Sequence, residues 1–174
     1  MKALVIIDVQ KGMFAFPEAQ PHEGEAVVAR IAELLSRARA AGAPVLFVQH
    51  SCDEEGDPLH PDGPGFPFRD ELAPHPSEPV IVKTKCSAFQ ATDLAERLST
   101  AGVDHLVICG MQTEYCVDTS IRSAFEQGYE ITLVADGHTT FDTPVLPAAQ
   151  IIAHHNHTLR GFAKPVPAVD VRFD

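Results

Sequence analysis

Three residues able to act as acid, base or nucleophile each stand at the end of a short apolar run. Asp8 follows residues 3–7, Lys83 follows Val80-Ile81-Val82, and Cys116 lies just after the run at 106–110. Ligands of open α/β sheets bind beyond the carboxyl ends of the strands, so chemistry would collect at these positions. Thr113 is a good helix N-cap, which would set Cys116 near the third helical position, among unpaired backbone N–H groups. The helix dipole and a nearby ammonium would both favour thiolate over thiol there. Each residue also has a plainer reading. Alone, Cys116 would be an inert core cysteine, Asp8 a turn cap or a metal ligand, and Lys83 a side chain snorkelling from a strand end. Their joint position at three strand ends narrows the choice without naming a reaction.

The elements that must carry these residues alternate along the chain. After the first run, Val27, Val28, Ile31, Leu34, Leu35 and Ala38 fall at helical spacing and stop at Gly42. A run at 45–48 follows Pro44, and Val80-Ile81-Val82 precedes a helix over 92–100. The run at 106–108 leads to a helix with Val117, Ile121, Ala124 and Phe125 on one side, then a strand at 131–134 and a long helix over 146–159. Asp93 with Glu96 forms a capping box for the 92–100 helix, with Thr92 an equally good cap. Uniformly apolar strands separated by helical stretches imply a parallel sheet covered on both faces. The expected fold class is therefore α/β: a three-layer α/β/α Rossmann-like domain with a mainly parallel sheet, one domain over 1–174. Residues 51–79 break this rhythm with seven prolines and three glycines. They are expected to form an irregular loop serving as a lid, a subunit contact or a solvated insertion.

Composition removes several function classes. The 174 residues suit one well-cored domain. A net charge of −11 argues against nucleic acid or an anionic membrane surface as partner. No apolar stretch nears the ~20 residues that span a bilayer. The apolar residues at 3–7 are too few for a signal peptide and meet Asp8 without a small-residue cleavage site, so a cytoplasmic location is expected. Cys52, Cys86, Cys109 and Cys116 show no C-x-x-C spacing and read as free thiols in a reducing compartment, with Cys109 structural inside an apolar strand. Neither G-x-G-x-x-G after the first strand nor G-x-x-x-x-G-K-[ST] occurs, so the familiar nucleotide cradles are missing.

Three ordered segments carry a family resemblance: Ile6-Ile7-Asp8-Val9-Gln10, Lys83-Thr84-Lys85-Cys86-Ser87-Ala88-Phe89 and Gly110-Met111-Gln112-Thr113-Glu114-Tyr115-Cys116-Val117. They match D-x-Q, K-x-x-x-S-x-F and G-x-x-T-x-x-C-V, and over residues 3–162 the chain resembles the isochorismatase-like cysteine hydrolases. Gly128-Tyr129 and Val134-Ala135-Asp136 look like that family's next strand. The resemblance implies Asp8 as general base, Lys83 as catalytic lysine and Cys116 as nucleophile. It also implies a cis peptide before Gln112 and an oxyanion hole made by the backbone N–H groups of Gln112 and Cys116. Gln10, Phe14, Tyr115 and His138 are candidates for the substrate pocket. The family often has an aromatic residue five positions after the aspartate. Met13 stands there instead, and Phe14 is expected to fill the same wall. No cofactor is implied, the partner is a small-molecule substrate, and proteins of this kind are usually homodimers or homotetramers.

The reaction implied is hydrolysis of a C–N bond in an amide, ureide or lactam through a thioester. Nicotinamidases share the triad but carry an Asp-x-His metal pair after the second strand, where this chain reads Val48-Gln49-His50-Ser51-Cys52-Asp53. Asp57 and His60 have the wrong spacing, and no metal site is expected. Isochorismatases that cleave a vinyl ether generally lack the cysteine, so Cys116 argues against that activity. His154 and His157 lie three apart on the last helix without a Cys or carboxylate to complete a metal site, so His154, His155 and His157 read as helix-surface or interface residues. A thiol redox sensor is the non-catalytic alternative, because a low-pKa thiol is also oxidisable.

Overall fold

The apolar runs become parallel strands in the computed structural model, which describes residues 1–173. These are β1 (Lys2–Ile7), β2 (Val45–His50), β3 (Val80–Lys83), β4 (His105–Met111), β5 (Glu130–Thr139) and β6 (Lys164–Val166). Together they form one six-stranded sheet in the order β3-β2-β1-β4-β5-β6, parallel at every pairing. Expectation named a mainly parallel sheet; the observed one is wholly parallel. β6 was not anticipated, because Lys-Pro-Val is too short and too polar to stand out by hydropathy. β1 lies at the centre, between β2 and β4, and the strand order reverses there. In doubly wound sheets that reversal opens a crevice at the carboxyl ends of the strands.

Four helices cover the sheet: α1 (Gly24–Ala40), α2 (Leu94–Thr100), α3 (Asp118–Glu126) and α4 (Ala148–Thr158). The stripe read from sequence is the stripe that is buried in α1, from Val27 to Ala38, packed on Leu4, Ile6, Val45 and Phe47. Leu94 and Leu98 of α2, with Ile121 and Ala124 of α3, cover the opposite face, against Val5, Ile7, Val48 and Ile81. Period-2 alternation along β1 and β2 divides their side chains between these two cores. No helix among the described residues is long and apolar enough to cross a membrane.

Three local expectations change. Phe125 is 47% exposed and stacks edge-on against Phe162 instead of entering the core. The Asp93–Glu96 capping box does not form, since Asp93 pairs with Arg97. Thr92 does the local work: its Oγ1 donates to the Ala88 carbonyl (2.6 Å) and accepts from the Leu94 N–H (3.4 Å). Helix α3 begins later than a Thr113 cap would set it, because residues Thr113–Val117 form a π-helical turn first.

Residues 51–79 contain only a short 3-10 turn, Asp70–Leu72, yet they are not a loose insertion. Leu59, Phe68 and Leu72 are buried, and Phe68 packs edge-on against Phe47 at 5.3 Å. Residues 65–69 of the segment are bonded to the chain leaving β1. Lys11 N–H donates to Pro67 O (2.9 Å), Gly12 N–H to Gly65 O (2.8 Å) and Arg69 N–H to Val9 O (3.1 Å). Gly12 and Gly65 meet so closely that a Cβ on Gly65 would lie 2.7 Å from Gly12 Cα and 2.2 Å from Pro58 O.

Candidate active site

Asp8, Lys83 and Cys116 converge at the carboxyl end of the sheet. Asp8 leaves β1 with φ 53°, a left-handed conformation that disfavours a residue with a side chain. Its N–H bond to Val48 O (2.8 Å) keeps it there. Such strain costs about 1–3 kcal/mol and is typical of functional positions. Next to it, Gly110 (φ 123°) lets β4 press on β1, since a Cβ there would sit 2.0 Å from Ile7 O. β4 also shifts register against β5 between Ile108 and Gly110. The chain then passes the cis peptide Met111–Gln112, present as the resemblance implied, and enters the π turn that carries Cys116.

Thr113 does not cap this turn. It is fully buried, and its Oγ1 lies 2.8 Å from His138 Nδ1; His138 Nε2 lies 3.1 Å from Asn156 Oδ1. The amide of Asn156 also donates to Ala135 O (2.9 Å). Thr113, His138 on β5 and Asn156 on α4 thus form a partly buried strut behind the turn that carries Cys116. Burial holds the His138 pKa down to about 4, so its ring is neutral, accepting from Thr113 and donating to Asn156. His138 is thus buried, both ring nitrogens engaged, between the π turn and α4, and it borders a cavity shared with His22 and Arg30.

Lys83 reaches the same place from the other side. In the β2–β3 register His50 lies opposite Lys83, so both side chains share the face of Val48 and Ile81, as does Cys116. The lysine and Asp8 side chains have no solvent exposure. Lys83 Nζ stands 2.7 Å from Asp8 Oδ2, 3.2 Å from Cys116 Sγ and 3.1 Å from His50 Nδ1. Burial alone would lower the lysine pKa, but Asp8 and Cys116 outweigh it and keep the ammonium charged. Burial pushes Asp8 up, against the opposing pull of Lys83.

The thiol overturns one expectation. Burial first, then the Asp8 carboxylate, push Cys116 up to about 12, and Lys83 only partly opposes them. A helix start and an ammonium do not yield a resting thiolate here. The resting group is a neutral thiol beside a carboxylate of raised basicity. Cys109 is buried and its thiol is pushed up by desolvation, in keeping with a structural role, and all four cysteines are unpaired.

The other candidates separate. Gln10 is wholly buried, and its amide is spent on backbone: Nε2 donates to His50 O (3.0 Å) and Phe66 O (2.8 Å), while Oε1 accepts from His50 N–H (2.8 Å). It clamps the end of β2 to the 51–79 segment. Phe14 packs with the α1-side core under the Arg69 guanidinium, which lies 4.5 Å from its ring, on the opposite side of the sheet from Cys116. Tyr115, beside Cys116, is 53% exposed and is still a candidate to meet substrate. In the family motif, Ser87 Oγ bonds Ser123 Oγ (3.0 Å), and the N–H of Ala88 bonds Ser120 Oγ (3.0 Å), fastening the chain after Lys83 to α3.

Among the described residues, one group of possible metal ligands lies close together, Asp8, His50 and Cys116, with ligand atoms within 4.8 Å of one another. The Lys83 ammonium already stands against all three, so a metal cation would have to displace it. Asp57 and His60 serve turns instead: Asp57 Oδ1 accepts from Leu59 N–H, and His60 Nδ1 from Asp62 N–H. Sequence reasoning missed His50 and Asn156. His50 was readable only as the last residue of a strand whose partner strand ends in Lys83. Asn156 sits within the histidine cluster, where His154 and His157 are exposed.

A wholly parallel, doubly wound sheet with a Cys–Asp–Lys cluster at its reversal point defines a Rossmann-like α/β protein equipped for nucleophilic chemistry. The model of the isochorismatase domain matches residues 2–156, and the chain belongs to the isochorismatase family. It is 37% identical over 147 residues to a streptothricin hydrolase from Streptomyces noursei, covering 84% of this chain and 58% of that protein. A second streptothricin hydrolase of that organism is covered to 52%, so the chain spans just over half the length of these relatives. Ureidoacrylate amidohydrolase from Stutzerimonas stutzeri is 27% identical, over 77% of this chain and 68% of that protein. The crystal structure of an isochorismatase from Pseudomonas putida KT2440 superposes with a TM-score of 0.91 at 34% identity, over 98% of this chain and 90% of that one.

Proposed function

We propose that the chain is a cysteine-dependent hydrolase that cleaves a C–N bond of a small amide, ureide or lactam through a thioester on Cys116. One observation carries this reading: a single buried ammonium joins a carboxylate at 2.7 Å and a thiol at 3.2 Å. A thiol held near 12 is a poor nucleophile without a base, and a carboxylate whose basicity is raised by burial is the base beside it. The sulfur attacks the carbonyl carbon while Asp8 takes the thiol proton. The backbone N–H groups of Gln112 and Cys116 receive the oxyanion, a contribution worth about 3 kcal/mol per donor. Collapse breaks the C–N bond as Asp8 returns its proton to the departing nitrogen. Water then attacks the thioester, Asp8 takes a proton from it, and the C–S bond breaks to give the acid and the free thiol.

The names of two relatives, a hydrolase and an amidohydrolase, support the same class. A redox-sensor reading depends on a depressed thiol pKa, and the site raises it. The test is release of ammonia or amine from a panel of small amides, ureides and lactams, comparing wild type with Cys116→Ala. Turnover that vanishes in the variant is expected. Turnover that survives it would overturn the proposed mechanism.

A further inference from the structure

An ammonium has three N–H bonds, and Lys83 has three acceptors for them: Asp8 Oδ2 at 2.7 Å, His50 Nδ1 at 3.1 Å and Cys116 Sγ at 3.2 Å. With that set filled, the lysine has no proton left to offer a bound molecule. Asp8 is itself an acceptor and takes the Cys116 S–H, so the side chains of the triad present charge and a nucleophile but no free donor. His50 supplies the missing kind of group.

The contact with Lys83 decides which ring nitrogen of His50 carries the proton. An ammonium can only donate, so Nδ1 must hold the lone pair, and the single proton of the neutral ring falls on Nε2. Groups facing the ring come from every neighbouring element: Lys83 on β3, Asp8 after β1, Cys116 in the π turn and Asp57 in the 51–79 segment. Burial and Lys83 outweigh the two carboxylates and hold the His50 pKa below its ordinary value, so the ring is neutral near pH 7. Among the described residues Nε2–H has no hydrogen-bond acceptor, and it is not among the buried orphaned atoms, so it is on the accessible side of a half-buried residue. The backbone of this residue is held with unusual care. Gln10 grips both its N–H and its C=O, while the next residue, Ser51, donates to Lys83 O at 2.8 Å.

We propose that His50 is a fourth residue of the reaction centre, anchored by Lys83 so that its Nε2–H donates to a second acceptor on the substrate, close to the scissile carbonyl. The inference rests on the hydrolase reading and narrows it. The favoured substrates carry another carbonyl oxygen or ring nitrogen beside the scissile amide, as ureides and acylated amides do, whereas simple alkyl amides lack the matching acceptor.

Two experiments test it. In protein labelled with 15N-histidine, long-range 1H–15N spectra at neutral pH, with His50 assigned by loss of its signals in His50→Gln, should show Nε2 protonated and Nδ1 bare. The bias should weaken in Lys83→Met. A protonated Nδ1, or an imidazolium at neutral pH, would overturn the assignment. In the second experiment His50→Asn keeps an acceptor where Nδ1 stands but removes the far donor. Cys116 should still be alkylated by iodoacetamide, while kcat/KM on ureides falls about 10- to 100-fold, the worth of one lost hydrogen bond to a polarised group. The fall on alkyl amides should be much smaller. An equal fall on both kinds of substrate, or none, refutes the donor role. A wild-type protein without turnover on any amide would count against the hydrolase reading, and the tautomer measurement judges His50 independently of it.

Discussion

Replacing Lys83 with Met keeps the bulk of the side chain and removes the charge at the centre of the site. At 2.7 Å and an effective dielectric of about 20, its attraction to Asp8 is about 6 kcal/mol before desolvation is counted. Removing one partner from a buried pair costs about 3–5 kcal/mol, since the other charge is left without compensation. Asp8 escapes part of that cost by keeping its proton. Its folded pKa, already raised by burial, climbs further above the ordinary 3.8. The folded state then binds a proton that the unfolded chain releases, so stability is whole below pH 3.8 and is lost as pH rises through the folded pKa. The stability gap between wild type and Lys83→Met should therefore be smallest in acid and widen toward neutrality. The chain has no tryptophan, so urea unfolding at several pH values would be followed by circular dichroism. Asp8→Asn combined with Lys83→Met should recover much of the loss, because no charge is then stranded. A pH-independent loss, or strict additivity of the two substitutions, would refute the reasoning.

Asp8→Asn alone should divide two properties that usually travel together. Removing a negative neighbour lowers the thiol pKa, so alkylation of Cys116 at neutral pH quickens, while hydrolysis falls by about 10²–10⁴ for want of a base; slower alkylation would contradict the assigned electrostatics. Gly110→Ala should destabilise the fold by about 3 kcal/mol, because the new methyl meets Ile7 O and not a side chain that could move aside; an unchanged urea midpoint would show that β1 and β4 can part cheaply. His138 is held down to about 4, whereas the unfolded chain takes up its proton near 6.5. Stability is thus full above pH 6.5 and falls by about 3 kcal/mol as pH drops toward 4. His138→Gln should remove most of that slope in urea midpoints measured across the range, and a slope that persists unchanged would assign it elsewhere.

The legible features were those that short stretches of chain encode. The stripe from Val27 to Ala38 has helical spacing whatever it packs against, and Asp8, Lys83 and Cys116 could be placed at strand ends because the apolar runs show where strands stop. What escaped depends on distant partners. Thr113 has the chemistry of a cap, yet His138, 25 residues away, takes its hydroxyl. Gln10 entered as a pocket candidate within the D-x-Q motif; only the return of residues 51–79 shows what its amide holds. The thiol was expected to ionise from its local setting, whereas its burial and the carboxylate beside it are products of tertiary structure. Phe125 fell on the apolar side of its helix, yet its ring packs on Phe162 and stays half exposed.

The way residues 51–79 are fastened bears on how such a protein can change over time. The anchors, Gly65 against Gly12, Phe66 under the amides of Gln10 and Gln49, and the buried Leu59, Phe68 and Leu72, occupy few positions. Between them Asp53, Glu54, Glu55, Pro61 and Asp62 face solvent. Replacements at these positions alter the segment's outer surface without touching what fixes its path. A path held at a few fixed points tolerates exchange between them, while the backbone bonds to the chain leaving β1 keep the end of that strand, and Asp8 with it, in place.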